Sequence, residues 1–164
     1  NFAPKEKITT FDLKDWLYQG LMLKEKDFRE YVKEHDWSRY QDQIVGVHCS
    51  TDAIVPIWAY MTIASKMSPY ASKVYFGDRS STINQYFIEA IVQLEPTQYE
   101  DAKLVIKGCG DVEIPEGAFV KMTQHLQPYA KTIMYGEPCS TVPIYKKPRK
   151  RNAQPQGNQA EKTT

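Results

Sequence analysis

The chain repeats part of its own sequence at an offset of 59 residues, and this repeat limits the folds that it can adopt. Between residues 56–77 and 115–136, six of 22 aligned positions are identical, where ordinary composition would give about one or two. A tandem duplication is therefore predicted, with units at roughly 24–78 and 83–137. The identical pairs are Pro56 and Pro115, Ala59 and Ala118, Pro69 and Pro128, Tyr70 and Tyr129, Ala71 and Ala130, and Gly77 and Gly136.

Each unit has the pattern of a helix, a strand, a second helix and a second strand. Apolar residues at helical spacing mark the first helices, and short apolar runs mark the strands. The second helices are predicted to begin at Pro56 and Pro115, because proline is well tolerated in the first turn of a helix. The remaining predicted elements are helices at 24–35 and 82–94, strands at 44–47 and 103–106, and strands at 73–76 and 132–135.

This alternation predicts one α/β domain over residues 1–145, with a mainly parallel sheet that helices cover on both faces. Strand-forming residues add an N-terminal strand at 8–11 and a C-terminal edge strand at 142–145, where Pro143 is tolerable. The helix after Pro56 is expected to turn an apolar stripe toward the core. That stripe consists of Ile54, Ile57, Trp58, Met61 and Ala64.

Positive charge is concentrated at the C-terminal end of the chain. Residues 146–164 hold six Lys or Arg side chains and one Glu, and a stretch rich in Asn, Gln, Pro and Gly follows the basic cluster. This composition predicts a disordered tail, because the segment cannot bury enough apolar surface to offset its ordering entropy. The basic cluster is suited to binding nucleic acid, but a solvated tail is the favoured interpretation of this segment. No other part of the sequence predicts nucleic acid binding.

The three cysteines and the hydropathy pattern indicate where the protein resides. An odd cysteine count argues against a disulfide framework and favours a reducing compartment. No apolar run reaches the ~18 residues that a membrane-spanning helix needs, and no secretory signal is recognisable. The sequence therefore predicts a cytoplasmic protein without a membrane segment.

Each cysteine follows a predicted strand, and this placement indicates a metal site. Because the carboxyl ends of parallel strands share one edge of a sheet, the three thiols are expected to meet there. Thiolates with one imidazole suit tetrahedral zinc, and three thiolates can hold an iron–sulfur cluster. The predicted ligands are Cys49, Cys109, Cys139 and His48, with Asp52, Asp111 and Glu137 as second choices.

Two other interpretations of the cysteines remain open. Free cysteine is among the most buried residue types, so the thiols can be packing groups in a two-lobed interaction module whose basic tail recruits an unknown protein partner. Alternatively, Cys49 or Cys109 precedes a helix and can be the nucleophile of a thiol-dependent enzyme. The sequence contains no P-loop and no nucleophile-elbow motif, and it identifies no catalytic residues.

Over about residues 7–147 the chain resembles an uncharacterised bacterial family, domain of unknown function 2480. The family's members usually extend further upstream, so the resemblance implies a segment before Asn1, whereas the Gln-rich tail lies outside the pattern. Members are encoded near iron–sulfur assembly proteins, which implies a cluster-related or metal-related role and a partner of that kind. The stretches that carry the resemblance are residues 20–29, 49–56 with 58–61, 106–109, and 134–143.

Overall fold

The structure is a computed structural model that describes residues 3–108, 113–137 and 140–148. In these ranges the chain forms a mixed α/β fold, and the predicted α/β class is confirmed. Short 3-10 helices cover Leu13–Trp16, Trp37–Tyr40 and Pro96–Tyr99. The other elements are β1 (Ile8–Asp12), α1 (Glu25–Glu34), β2 (Ile44–His48), α2 (Ile57–Met67), β3 (Lys73–Phe76), α3 (Arg79–Val92), β4 (Lys103–Ile106), α4 (Glu116–Leu126), β5 (Thr132–Glu137) and β6 (Ser140–Lys146).

The described strands form two three-stranded sheets instead of the single sheet that the sequence predicted. The first has the order β1-β2-β3 and is parallel throughout. The second has the order β4-β5-β6, in which β4 and β5 are parallel and β6 is antiparallel. Helix α3 contacts all three strands of the first sheet and also α4. The two sheets are therefore connected by helix packing, and not by the strand pairing that a continuous sheet would need. We call the first sheet with α1 and α2 the first lobe, and the second sheet with α4 the second lobe.

Local structure recurs at the same offset of 59 as the sequence. Asp42 and Asp101 both have positive φ, at 55° and 52°. The amide of Asp42 donates to the carbonyl of Tyr70 at 3.0 Å, and the amide of Asp101 donates to that of Tyr129 at 2.9 Å. Helices α2 and α4 also have bounds that differ by 59 residues, as do the 3-10 helices before β2 and β4. The two lobes are therefore built alike from the 3-10 helix to the last parallel strand.

The core of the first lobe lies between the first sheet and α2. The side of α2 that is buried there differs from the apolar stripe that the sequence predicted. Helix α2 buries Ala59, Ile63 and Met67, which recur at a spacing of four residues. The predicted stripe was wrong for Ile54, Ile57 and Met61, which are 82%, 78% and 66% exposed. Both sets fit helical periodicity, and the helix turns the set containing the small Ala59 toward the sheet. None of the helices in the described ranges is long and apolar enough to cross a membrane.

Helix α3 lies very close to the first sheet because one strand residue there has no side chain. Thr82 is fully buried, and its hydroxyl donates to the carbonyl of Asp78 at 2.7 Å. A Cβ atom on Gly46 would lie 2.0 Å from the Thr82 hydroxyl oxygen and 2.6 Å from the carbonyl of Gly77. The counterpart of Gly46 in the second lobe is Val105, which is 43% exposed.

The first prediction concerns this close contact. Gly46→Ala should lower the free energy of unfolding by about 1–3 kcal/mol, because the added methyl group forces the helix or the Gly77 backbone to shift. Urea denaturation followed by circular dichroism measures the change. The matched control is Val105→Ala, which should have a clearly smaller effect because the valine is partly solvated. Equal losses in the two variants would contradict the packing described here.

Candidate functional site

The carboxyl end of the first sheet holds several of the residues that the sequence singled out. Asp12 ends β1 and His48 ends β2, and the two residues are partners in the register of these strands. One carboxylate oxygen of Asp12 accepts hydrogen bonds from the amides of Lys14 and Ser50, both at 3.0 Å. The loop that carries Cys49 is therefore tied to the end of β1.

The hydrogen bonds at this strand end shift the titration of Asp12. Burial by itself raises the pKa of Asp12, but it is outweighed by hydrogen bonds from Ser50 and Lys14 and by the charge of His48. The net result is a pKa below the ordinary value of 3.8. Asp12 is therefore a stable anion at neutral pH, and its side chain is only 19% exposed.

Cys49 is a half-buried free thiol that packs against the core of the first lobe. Its sulfur lies 3.4 Å from the hydroxyl of Thr51. Burial raises the pKa of Tyr60, and the nearby Cys49 and Asp12 add to this effect. Tyr60 also packs against the same core cluster as Cys49. No sequence motif marked Tyr60 as a functional residue. A signal was present, because Phe119 is its counterpart and lacks the hydroxyl.

His48 does not join Cys49 in this arrangement. Successive strand residues point to opposite faces, so His48 lies on the same side as Gly46, which faces α3. Cys49 instead packs with the cluster that contains Val47 and the buried side of α2. The amide and hydroxyl of Ser81 lower the pKa of Asp78, and the charge of His48 adds to this effect. His48 is therefore placed between carboxylates and not beside the thiol.

The predicted metal ligands are only partly within the described residues. Cys109, Asp111 and Cys139 lie outside them. In the described ranges, no three or more His, Cys, Asp or Glu residues are grouped so that they could hold a metal ion. Cys49 follows a strand of the first sheet, whereas Cys109 and Cys139 follow β4 and β5 in the sequence, and these strands belong to the second sheet. The described strands that precede the cysteines therefore do not share one sheet edge, as the sequence had predicted. The predicted zinc or iron–sulfur site stays a prediction.

The ends of β4 and β5 lie side by side in the second sheet. The ammonium group of Lys107 pairs with the carboxylate of Glu137 at 2.8 Å. A Cβ atom on Gly108 would lie 2.7 Å from the ring of Phe119, so the backbone there passes directly over α4. These contacts join the two points of the chain that directly precede Cys109 and Pro138.

A concave surface of about 790 Å³ lies between α4 and the second sheet. Phe119 and Tyr135 form its floor, with ring centroids 5.7 Å apart in an edge-to-face arrangement. The counterparts in the first lobe, Tyr60 and Phe76, make the same contact at 5.2 Å. This aromatic pair is therefore a feature that the two lobes share.

An exposed apolar surface lies on the first lobe, around the first turns of α2 and the segments next to them. Ile54 is 82% exposed and forms a bridge with Met22, and its amide donates to the carbonyl of Leu21 at 3.3 Å. Ile57 and Met61 extend the surface along the helix. We call this surface the α2 face; its residues are Tyr18, Leu21, Met22, Ile54, Ile57, Trp58 and Met61.

In the described part of the second lobe, two positions that correspond to the α2 face carry charged residues instead of apolar ones. At the offset of 59, glutamates stand at the positions of Ile54 and Ile57, namely Glu113 and Glu116. Both glutamates are exposed, as are their apolar counterparts. The sequence therefore contained a signal that these positions of α2 face solvent, although the apolar stripe of one unit alone indicated burial.

Comparisons with known proteins identify a family but no activity. The model of a family described as Protein of unknown function (DUF2480) matches residues 1–147, which confirms the predicted resemblance. No curated protein and no protein of solved structure matches the chain. Any function must therefore be inferred from the surfaces and side chains described above.

The second prediction concerns Asp12. Because its folded-state pKa is lowered, its contribution to stability is complete above the ordinary carboxyl pKa of 3.8 and is lost as the pH falls through the folded value. Asp12→Asn should cost about 1 kcal/mol at pH 7, and this cost should shrink as the pH falls below 3.8, because the neutral amide accepts weaker hydrogen bonds than the charged carboxylate. Denaturation midpoints across this pH range measure the difference. Asp15→Asn, at an exposed carboxylate, is the control, and a loss of equal size there would contradict the assignment.

Proposed function

We infer that this chain, which belongs to the DUF2480 family of proteins of unknown function, is a two-lobed interaction module that binds its partner through the α2 face. The observation that carries the proposal is the exposure of seven large apolar side chains in α2 and in the segment that the bridges Tyr18–Met22 and Met22–Ile54 hold next to its start. Monomeric soluble proteins rarely expose contiguous apolar patches larger than a few hundred Å². A surface of this kind therefore favours a partner.

The composition of the α2 face supports binding to protein. Aromatic residues and methionine are enriched in the cores of protein interfaces, and charged residues are depleted there. Trp58 is held by an edge-to-face contact with Phe28 at 5.4 Å, and Tyr18 lies under the ammonium group of Lys24 at 3.1 Å. Two of the large side chains are thus already fixed in place, which reduces the entropy lost when a partner binds.

We also propose that the two lobes are copies produced by tandem duplication, with helices covering both faces of the first sheet. The recurrence of element bounds at one offset supports the duplication. Val47 packs with the buried side of α2, while Gly46, on the opposite face of β2, meets Thr82 of α3. In this proposal the first copy acquired apolar residues where the second has Glu113 and Glu116, and so became the binding lobe.

A second candidate function is binding of zinc or an iron–sulfur unit at the end of the second sheet. The supporting observation is the pairing of Lys107 with Glu137, which holds together the strand ends from which Cys109 and Cys139 follow by two residues each. Two thiolates, with the carboxylate of Asp111 two residues after Cys109 in the sequence, are a suitable donor set for zinc. Cys49 follows the other sheet and is not part of this proposed set.

The third prediction tests the interaction surface. Ile57 is replaced by the photoreactive residue p-benzoylphenylalanine, and cells producing the chain are illuminated. We expect discrete crosslinked species, because the side chain at this position points out from the α2 face. These species should disappear when Met61→Glu is added. The matched control carries the photoreactive residue at Glu116, the counterpart position in α4.

The proposed interaction fails if position 57 gives no discrete species, or if positions 57 and 116 give the same ones. Denaturing gels followed by mass spectrometry identify the adducts. Circular dichroism of each purified variant verifies that it is folded, which the high exposure of both positions favours.

The fourth prediction tests the second candidate. Anaerobically purified protein should contain zinc or iron near one equivalent per chain by elemental analysis. The metal should be lost in Cys109→Ser and in Cys139→Ser, because each change removes a thiolate ligand. Cys49→Ser should retain it. Metal content that is negligible in the unaltered chain, or the same in all four proteins, would exclude this candidate.

A further inference from the structure

We propose that the partner of the α2 face is a second copy of this chain, bound in a twofold symmetric dimer. The inference rests on the proposed function, because it names the occupant of the same surface. A twofold interface requires a self-complementary patch, in which the same residues of both copies meet. The size, charge and geometry of the α2 face each meet this requirement.

The size of the face matches that of a dimer interface. Its seven side chains are between 38% and 82% exposed. With about 150–250 Å² for each large side chain, these fractions leave about 800 Å² of apolar surface open to solvent. That is the area which each partner contributes to an interface of standard size. Two copies of the face would therefore bury the area that a stable complex requires.

The charges around the face also suit a second copy. None of its seven residues is Asp, Glu, Lys, Arg or His, so the face itself brings no like charges into contact when two copies meet. The nearest cation, Lys24, is already held over the Tyr18 ring at the margin. The whole chain has a net charge of +1, so long-range repulsion between copies is weak. Homodimer interfaces are also more apolar than other protein interfaces, as this face is.

The geometry of α2 permits a symmetric contact. Ile57 and Met61 are one helical turn apart and both project away from the sheet, since the helix buries Ala59 and Ile63 instead. When two such helices pack antiparallel about a twofold axis, Ile57 of each copy meets Met61 of the other. Ile54, three residues before the helix, extends the exposed apolar surface beyond its first turn. The arrangement uses the exposed residues and moves none of the buried ones.

The chain itself provides the variants that test the dimer. Ile54→Glu with Ile57→Glu gives the first lobe the residues that the second lobe carries at 113 and 116. Val120→Glu, at the counterpart of Met61, is the control, because it adds a charge to an equally exposed position of the other lobe. All three positions are solvent-exposed, so each variant should fold, and circular dichroism verifies this.

Sedimentation equilibrium and light scattering of the full chain measure the result. We expect a mass of twice 18.9 kDa for the unaltered chain and for Val120→Glu. The double variant should be monomeric, with a dimer dissociation constant raised at least ~100-fold by four buried charges in the dimer. A monomer at every concentration for the unaltered chain, or a dimer that the double variant leaves unchanged, would overturn the proposal.

The crosslinking experiment separates this inference from the proposed function. A species at position 57 with twice the chain mass supports the second copy. A discrete species of any other mass, together with a monomeric purified chain, overturns the second copy and leaves the interaction module standing. The lack of any discrete species at position 57 overturns both.

Discussion

Helix α3 contacts the first sheet on one side and α4 on the other, and a glycine makes each approach possible. Thr82 fits against Gly46 of β2, and Asn84 fits against Gly117 of α4, where a Cβ atom would lie 2.4 Å from the amide oxygen. Residues two apart on a helix are separated by about 200°, so these contacts lie on opposite sides of α3. One helix thereby joins both lobes at short distance, and the rest of the architecture depends on it.

The contact between α3 and α4 also has an energetic cost. The side-chain oxygen of Asn84 is buried there without a hydrogen-bond partner in the described part of the chain. Such a group costs about 1–3 kcal/mol when it is removed from water unpaired. The helix is held from the other side by Glu89, which accepts hydrogen bonds from Lys73 and Tyr75 of β3. The apolar cluster of Ile83, Phe87, Ile91 and Ala118 completes the packing that offsets this cost.

The sequence predicted the elements well and their assembly less well, for a physical reason. The strand predicted at 44–47 is Ile44–His48, and the helix predicted at 24–35 is Glu25–Glu34, because local apolar spacing determines both. Strand pairing depends on contacts between distant residues, so the division into two sheets was not predictable from spacing. The prediction that the three cysteines lie close together assumed a single continuous sheet. Likewise, periodicity alone could not decide which side of the largely apolar α2 faces the core.

The difference between the lobes indicates why apolar residues stand at the start of α2. Ile54 and Ile57 occupy positions where the second lobe has glutamates, and all four residues are exposed. An isoleucine in such a position adds nothing to the core, since Ala59 and Ile63 fill the contact with the sheet. It gains stability only when a surface outside the described fold removes it from water, at about 25 cal/mol for each Å² covered. Under the proposed interaction, these two isoleucines serve binding, because the buried contacts of α2 leave them no role in the core.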